Sequence, residues 1–480
     1  MIERSPARHV SVRHVSARSL AALACSLALS ACMSFIPAYE RPAAPVAAAY
    51  APELMLAGAG SVAAADIEWQ RYFSDPRLKR LIETALQNNR DLRVAVLNIE
   101  QARAAYQVKR ADELPSLGAG GSVARQPGSG GKLVNTYAVG LQVTGYELDL
   151  FGRVRSLSQA AASQYLATEE ARKTVQIALV AAVANAYIGL LADDETLRVT
   201  RDTLATREDS FRLTQLKFDA GVSSELDFRQ AEQLLEGARA TLAQSQRQRL
   251  LDENALVLLL GQPLPSDLPA ALAMSAQQAL ADLPAGLPSE LLTRRPDVRA
   301  AEQLLLAANA NIGAARAAFF PRIALTANAG TASGELSGLF KSGTFALTGS
   351  ATLLQPIFDA GRNQANLDVA KVNKEIAIAQ YEKAIQTAFR EVADALAGRA
   401  TLGEQLRALK AQTNAAQVTF KLADLRYRNG AASYFDVLDA QRSLFVAQLA
   451  TVQAQTLQAQ NGFTLYKVLG GGWKDSASAN

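Results

Sequence analysis

Cysteine and histidine are nearly missing from this chain: two of each occur among 480 residues, as His9, His14, Cys25 and Cys32. All but Cys32 fall in the first 31 residues, a stretch with the features of a removable leader, so the remainder has no histidine and no cysteine pair. That excludes a histidine-activated nucleophile, a zinc centre of His and Cys, and disulfides. The acidic residues are scattered and form no catalytic constellation, so an enzyme is not expected. Excess charge of one sign is also lacking. The formal net charge is +4, and loss of Arg4, Arg8, Arg13, Arg18 and Glu3 with the leader lowers it to +1. Nothing of a nucleic-acid footprint remains. Aromatics make up 6% of the chain, and the longest apolar stretch of the body, Ile177 to Ala192, is short for a membrane span, largely alanine and interrupted by Asn185. A transmembrane helix there is the less favoured reading, and closely packed helices the more favoured. What is abundant is Ala, Leu and Gln, the composition of long helices.

The leader, 1–31, has a basic start followed by the apolar run Leu20 to Ser30, and it ends in Leu29-Ser30-Ala31-Cys32. That tetrapeptide resembles the bacterial lipobox, in which cleavage before the cysteine is followed by attachment of diacylglycerol to its thiol and of an acyl chain to its amine. Cys25 lacks the leucine three residues upstream, and an ordinary secretory signal with an incidental cysteine is the alternative. Met33, where inner-membrane lipoproteins carry Asp, implies the outer membrane. Residues 32–75 then read as a lipidated, Pro- and Ala-rich tether.

From residue 76 the chain is written twice. The turn Phe211 to Gln230 carries Gly221, Ser224 and Asp227, and the turn Phe420 to Gln441 carries Gly430, Ser433 and Asp436, each 209 residues later. Glycine ends a helix in the left-handed conformation, serine caps the next one, and the aspartate three residues on completes a capping box. Asp227 and Asp436 are therefore capping residues. Repeat 1 spans 76–262 and repeat 2 spans 289–472, with a Pro-rich connector at 263–288 and a tail at 473–480. Each opens with a helix, and in the first that helix is expected to run unbroken from Asp75-Pro76 to just before Pro115. A strand pair follows, at 116–149 and again at 322–355, in which apolar residues such as Val139, Leu141, Leu347 and Leu353 alternate with small or polar ones. Strands of roughly ten residues cross a bilayer when tilted; a soluble hairpin with one buried face is the alternative. Long helices are expected at 152–217 and 362–428, roughly 100 Å each at 1.5 Å per residue, returning through helices at 224–260 and 433–468.

Four membrane strands cannot close on themselves, and an open edge in hydrocarbon leaves amides unpaired. Four from each of three chains make twelve, enough to enclose a water-filled lumen.

The segments NRDLRVAVLNIEQARAAY, YELDLFGRVRSLSQAA, RRPDVRAAEQLLLAANANIGAARAAFFPRI, RYRNGAASYFDVLDAQRSLFVAQ and YKVLGGGW resemble the outer membrane factor family of TolC-like proteins. The likeness is strongest to its lipoprotein branch of OprM- and NodT-type efflux proteins, and it covers nearly the whole body of the chain. It implies an α+β membrane protein: a homotrimer whose twelve-stranded outer-membrane β-barrel continues into a long periplasmic α-helical barrel. The implied role is the exit duct of a tripartite efflux pump, without a cofactor beyond the lipid on Cys32. The implied partners are a periplasmic adaptor and an inner-membrane transporter of the resistance-nodulation-division class. The resemblance places a periplasmic gate at Phe435 and Asp439, with Arg442 free to pair with an acid on a neighbouring helix. Phe435 departs from the family's usual aliphatic residue. A solvated surface position is the alternative for Asp439. The tips Gly221, Ser224, Gly430 and Ser433 are the implied adaptor contacts. A lipid-anchored periplasmic coiled-coil scaffold without a pore is the competing function.

Overall fold

The computed structural model describes residues 34–51, 64–128, 131–274 and 294–473; Cys32, the leader, part of the connector and most of the tail lie outside them. Two compact units share the chain.

The first unit takes residues up to Arg41, Ala102–Tyr165 and Leu304–Ala377. Its centre is an antiparallel sheet of β1 (Leu117–Pro127), β2 (Leu133–Glu147), β3 (Arg322–Ser333) and β4 (Phe345–Leu354), in that order. The two strand pairs of the repeats thus meet along β2 and β3. The register sorts side chains into two faces. Ala119, Leu141, Ala329 and Leu347 form one cross-strand row, and Gly118, Gln142, Asn328 and Thr348 form the next, on the opposite face. Among the described residues nothing covers the apolar face: Leu117, Leu141, Leu347 and Leu353 are 68%, 49%, 75% and 63% exposed. A soluble hairpin would have buried that face, so the soluble reading fails here.

Two glycine positions shape the wall. Gly140 and Gly330 are register partners, and a Cβ on Gly140 would lie 2.5 Å from the Ala329 carbonyl oxygen, so the strands approach more closely there than side chains permit. Gly145, at φ 68°, sits in a β-bulge between Val143 and Tyr146 that re-aims the end of β2. At that end Glu147 receives Nε and Nη2 of Arg153, both at 2.7 Å, and Nε of Arg322 at 2.5 Å. One carboxylate therefore rivets the end of β2 to the start of β3 and to the first turn of the helix that follows.

The second unit takes Pro42–Gln101, Leu166–Gln303 and Ile378 onward. Among the described residues the helices longer than one turn, in order, are α1 (Pro76–Asn88), α2 (Arg90–Ala111), α3 (Arg153–Asp219), α4 (Glu225–Leu260), α5 (Pro296–Ala317), α6 (Arg362–Arg428) and α7 (Tyr434–Val468). Two of them, α3 and α6, are 67 residues long. The apolar stretch at 177–192 lies in α3 and is core: Val183, Ala184 and Ile188 are fully buried. Asp75 caps α1, accepting from the Arg77 amide at 2.8 Å and from the Tyr187 hydroxyl at 2.7 Å. Tyr72 stacks on Tyr466 with ring centroids 3.9 Å apart, joining the segment just before repeat 1 to the end of repeat 2.

The first helix of repeat 1 is not continuous, contrary to the periodicity of its sequence. Asn89 is extended, at φ −62° and ψ 132°, and separates α1 from α2. Its side chain accepts from the Leu92 amide at 2.9 Å and donates to the Leu259 carbonyl at 2.9 Å, so it replaces lost helical bonds and ties the break to the end of α4. Repeat 2 reproduces the joint with different chemistry. Arg295, 206 residues later, precedes α5 and donates to the Val468 carbonyl at 3.0 Å, while its other nitrogens reach Asp297 at 2.6 Å and Glu391 at 2.8 Å. Gly261, at φ 70°, caps α4 and packs onto the backbone of Asn88 and Asn89; Gly470, at φ 84°, packs likewise on Arg294.

A Cβ at Gly261 would press into the Asn88 carbonyl oxygen in a conformation side chains disfavour. Gly261→Ala is expected to cost about 1–3 kcal/mol and to lower the melting temperature of the detergent-solubilised protein. A melting curve unchanged from wild type contradicts this account of the joint.

Candidate functional site

The two helical turns lie in the second unit and are built alike. Helix α3 closes with Gly221 at φ 71°, whose amide donates to the Phe218 carbonyl, while the Val222 amide reaches the Lys217 carbonyl at 2.9 Å. At the end of α6, Gly430 at φ 74° bonds Tyr427, and the Ala431 amide reaches Arg426 at 2.8 Å. These bonds satisfy carbonyls that a helix end leaves free. Ser224 accepts from the Asp227 amide at 3.1 Å and Ser433 from the Asp436 amide at 3.4 Å, and in return both aspartate carboxylates accept from the serine amide. Gly221, Ser224, Gly430 and Ser433 are all exposed.

Beyond the second turn, α7 presents a divided surface. Tyr434, Val437, Leu438 and Gln441 are buried, whereas Phe435, Asp439, Arg442 and Val446 fall on one exposed stripe at helical spacing. Phe435 is 62% exposed. Among the described residues of this chain, Arg442 reaches no acid on another helix. It donates to Asp439 at 2.9 Å, one turn back on α7, because residues three apart on a helix are neighbours. The equivalents of this stripe on α4, 209 residues earlier, are Leu226, Gln230, Gln233 and Gly237. The charged pair belongs to the second hairpin alone.

Four further residues join the hairpins, and sequence reading missed them. On one face of α3, Arg207, Ser210, Thr214 and Lys217 each meet the second hairpin: Arg207 lies over the Phe445 ring at 5.5 Å, Ser210 accepts from Gln441 at 3.0 Å, Thr214 bonds Tyr434, and Lys217 lies over the Tyr427 ring at 3.9 Å. Arg207 also donates to the Leu234 carbonyl at 2.9 Å, so it spans three helices. Burial depresses its pKa and raises that of Tyr434 to about 12. The 207, 210, 214, 217 spacing was the available signal, but a polar helical face reads equally well as solvated surface.

In the first unit, the segment that follows Cys32 is fixed. Phe35 stacks on Phe320 at 4.6 Å, and Phe320 on Phe151 at 4.9 Å. Ile36 packs on Ala160, Ala307 and Ala310, in a notch that a side chain at Gly313 would fill. Asn309 donates to the Pro37 carbonyl at 2.8 Å and Arg316 to that of Phe35 at 3.3 Å. The chain is thus held two residues before β3 begins.

Comparison with known proteins agrees with this architecture. The model of the family described as outer membrane efflux protein matches residues 81–262 and 287–471. The chain is 48% identical over 466 residues to the probable efflux pump outer membrane protein TtgC of Pseudomonas putida, covering 95% of this chain and 96% of that one. It is 46% identical to the outer membrane protein OprJ of Pseudomonas aeruginosa, covering 96% and 97%. Among solved structures it resembles the open state of the Neisseria gonorrhoeae MtrE outer membrane channel, with a TM-score of 0.85, 44% identity, and coverage of 92% of this chain and 99% of that one.

Proposed function

The chain belongs to the outer membrane efflux protein family, and from that premise we propose how its parts divide the work. It is an outer-membrane component of an efflux pump, a channel of the TolC-like trimeric type that works with an adaptor and an inner-membrane transporter. The observation that carries the mechanism is the uncovered sheet, apolar on one face and lined on the other by Gly118, Gly120, Gln142, Asn328 and Thr348. Apolar-out and polar-in is the pattern of a barrel wall with lipid outside and water inside. Its edge strands β1 and β4 carry backbone groups that hydrocarbon cannot satisfy, and pairing with the sheets of two further copies satisfies them. A scaffold without a pore would leave both the face and the edges unexplained.

The remaining assignments are ours. Cys32 carries the diacylglycerol and N-acyl anchor; the clamp on Phe35 and Ile36, three and four residues further on, supports this, because it holds that end of the chain beside the start of a membrane strand. The exposed turns at Gly221, Ser224, Gly430 and Ser433 receive the adaptor, since small residues allow a partner hairpin to approach closely. The transporter is of the proton-driven resistance-nodulation-division class. The stripe of Phe435, Asp439 and Arg442 is the periplasmic gate: three copies of Phe435 supply apolar bulk, and three Asp439–Arg442 pairs supply a charged ring whose net field is weaker than that of bare aspartates. Cargo is small toxic molecules, drugs or solvents, and a lumen of small polar side chains discriminates poorly among them.

Cysteine placed at Val139 or Leu347 is expected to be shielded from aqueous maleimide in intact outer membrane, while cysteine at Gln142 or Thr348 reacts. Free reaction at Val139 and Leu347 contradicts the barrel. For the gate, Asp439→Ala frees Arg442 and is expected to raise conductance of the resting channel in planar bilayers; unchanged conductance removes Asp439 from the gate.

A further inference from the structure

Far from the turn of the first hairpin, near the middle of α3 and the end of α4, two carboxylates face each other without, among the described residues, a proton donor between them. Asp193 lies on α3 and Asp252 on α4. The Oδ2 atom of Asp193 is buried and has no hydrogen-bonding partner among the described residues. Asp252 lies against the backbone of α3 one turn earlier, where a methyl group at Gly189 would stand 3.9 Å from its Oδ2. The cation nearest at hand is already committed: Arg249 binds Asp194 at 2.6 Å and Glu253 at 2.7 Å. Gln248 donates to the other oxygen of Asp252 at 3.0 Å, which leaves the side toward Asp193 without a donor. Two ionised carboxylates in this arrangement repel, and a single proton between them turns the repulsion into a hydrogen bond.

We propose that Asp193 and Asp252 share one proton and form a proton-dependent clasp between the long helix α3 and its return helix α4. The charges acting most strongly on Asp193 are, among the described residues, Asp252, Asp194 and Arg249, all on these two helices. Burial, then the hydrogen bond and charge of Asp252, push the Asp193 carboxyl up from 3.8 to about 7. A carboxyl raised in the folded state stabilises the fold fully below its unfolded value, and that contribution is lost as pH rises through the folded one. The window therefore runs from 3.8 to about 7, within the range an outer-membrane protein meets when its surroundings acidify. Below it the clasp holds the first hairpin together; above it two negative charges oppose each other at the same point. This assignment is separate from the gate on α7 and does not depend on it.

The test uses the full-length protein in detergent and reads the infrared C=O stretch of protonated carboxyl groups as pH is raised from about 5 to about 9. Wild type is expected to show a band that titrates with a midpoint near 7, and its melting temperature to fall by a few degrees over the same range. Asp193→Asn and Asp252→Asn are each expected to abolish that titration and flatten the melting profile, whereas Asp194→Asn keeps both. Absence of a titrating band in wild type, or its survival in Asp193→Asn, overturns the proposal, and the wild-type measurement stands even if a variant fails to fold.

Discussion

The unpaired backbone at the two edges of a four-stranded sheet is the constraint from which the rest of this molecule follows. In water an open edge can be solvated, but in hydrocarbon each amide and carbonyl left without a partner costs several kcal/mol, roughly what a lost buried hydrogen bond costs. With Leu117, Leu347 and Leu353 facing outward, β1 and β4 stand in lipid and cannot stay open. A second and third copy are therefore part of the fold. Everything attached to the strands inherits that threefold arrangement, including a charged stripe on α7 that in one chain is only a solvated ion pair.

Duplication supplies the remaining economy, and its two copies have diverged where they touch different neighbours. Asn89 and Arg295 occupy the same joint and both bind the last carbonyls of a return helix. Asn89 does so as a neutral cap. Arg295 is a buried cation held by Asp297 and Glu391, which adds α6 to the same junction. At the tips the capping serines and aspartates are retained in both copies, while the charged pair Asp439 and Arg442 has glutamines for counterparts. What is shared between repeats builds the scaffold, and what differs marks the places where the second hairpin has its own task.

Much of this was legible in the sequence because the signals are strong and local. Alternation with a period of two reads as a strand, and its recurrence at the same place in each repeat weakened the soluble-hairpin reading, which the uncovered apolar face then removed. Gly-x-x-Ser-x-x-Asp turns announced themselves through capping chemistry, and α3 extends only to Asp219 against an expected 217. The break at Asn89 was not legible, since the apolar positions on either side keep helical spacing and the interruption is made by one side chain bonding a distant carbonyl. The seam of Arg207, Ser210, Thr214 and Lys217, and the Asp193–Asp252 contact, were hidden for a related reason. A polar residue on a long helix looks the same in sequence whether it faces water or another helix. The Asp439–Arg442 contact on α7 itself was not foreseen, although residues three apart on one helix are neighbours.

The claim that three copies complete one barrel is tested most directly by cross-linking edge to edge. Single cysteines would be placed along β1, at Ala119, Gly121 and Val123, and combined in the same chain with single cysteines along β4, at Ala346, Leu347 and Thr348, with Cys32 left unchanged. Oxidation in outer membrane is predicted to yield, for at least one register, a covalent trimer that runs as a single species in denaturing gels. Monomers at every register, from protein that is nonetheless inserted in the membrane, would contradict the account.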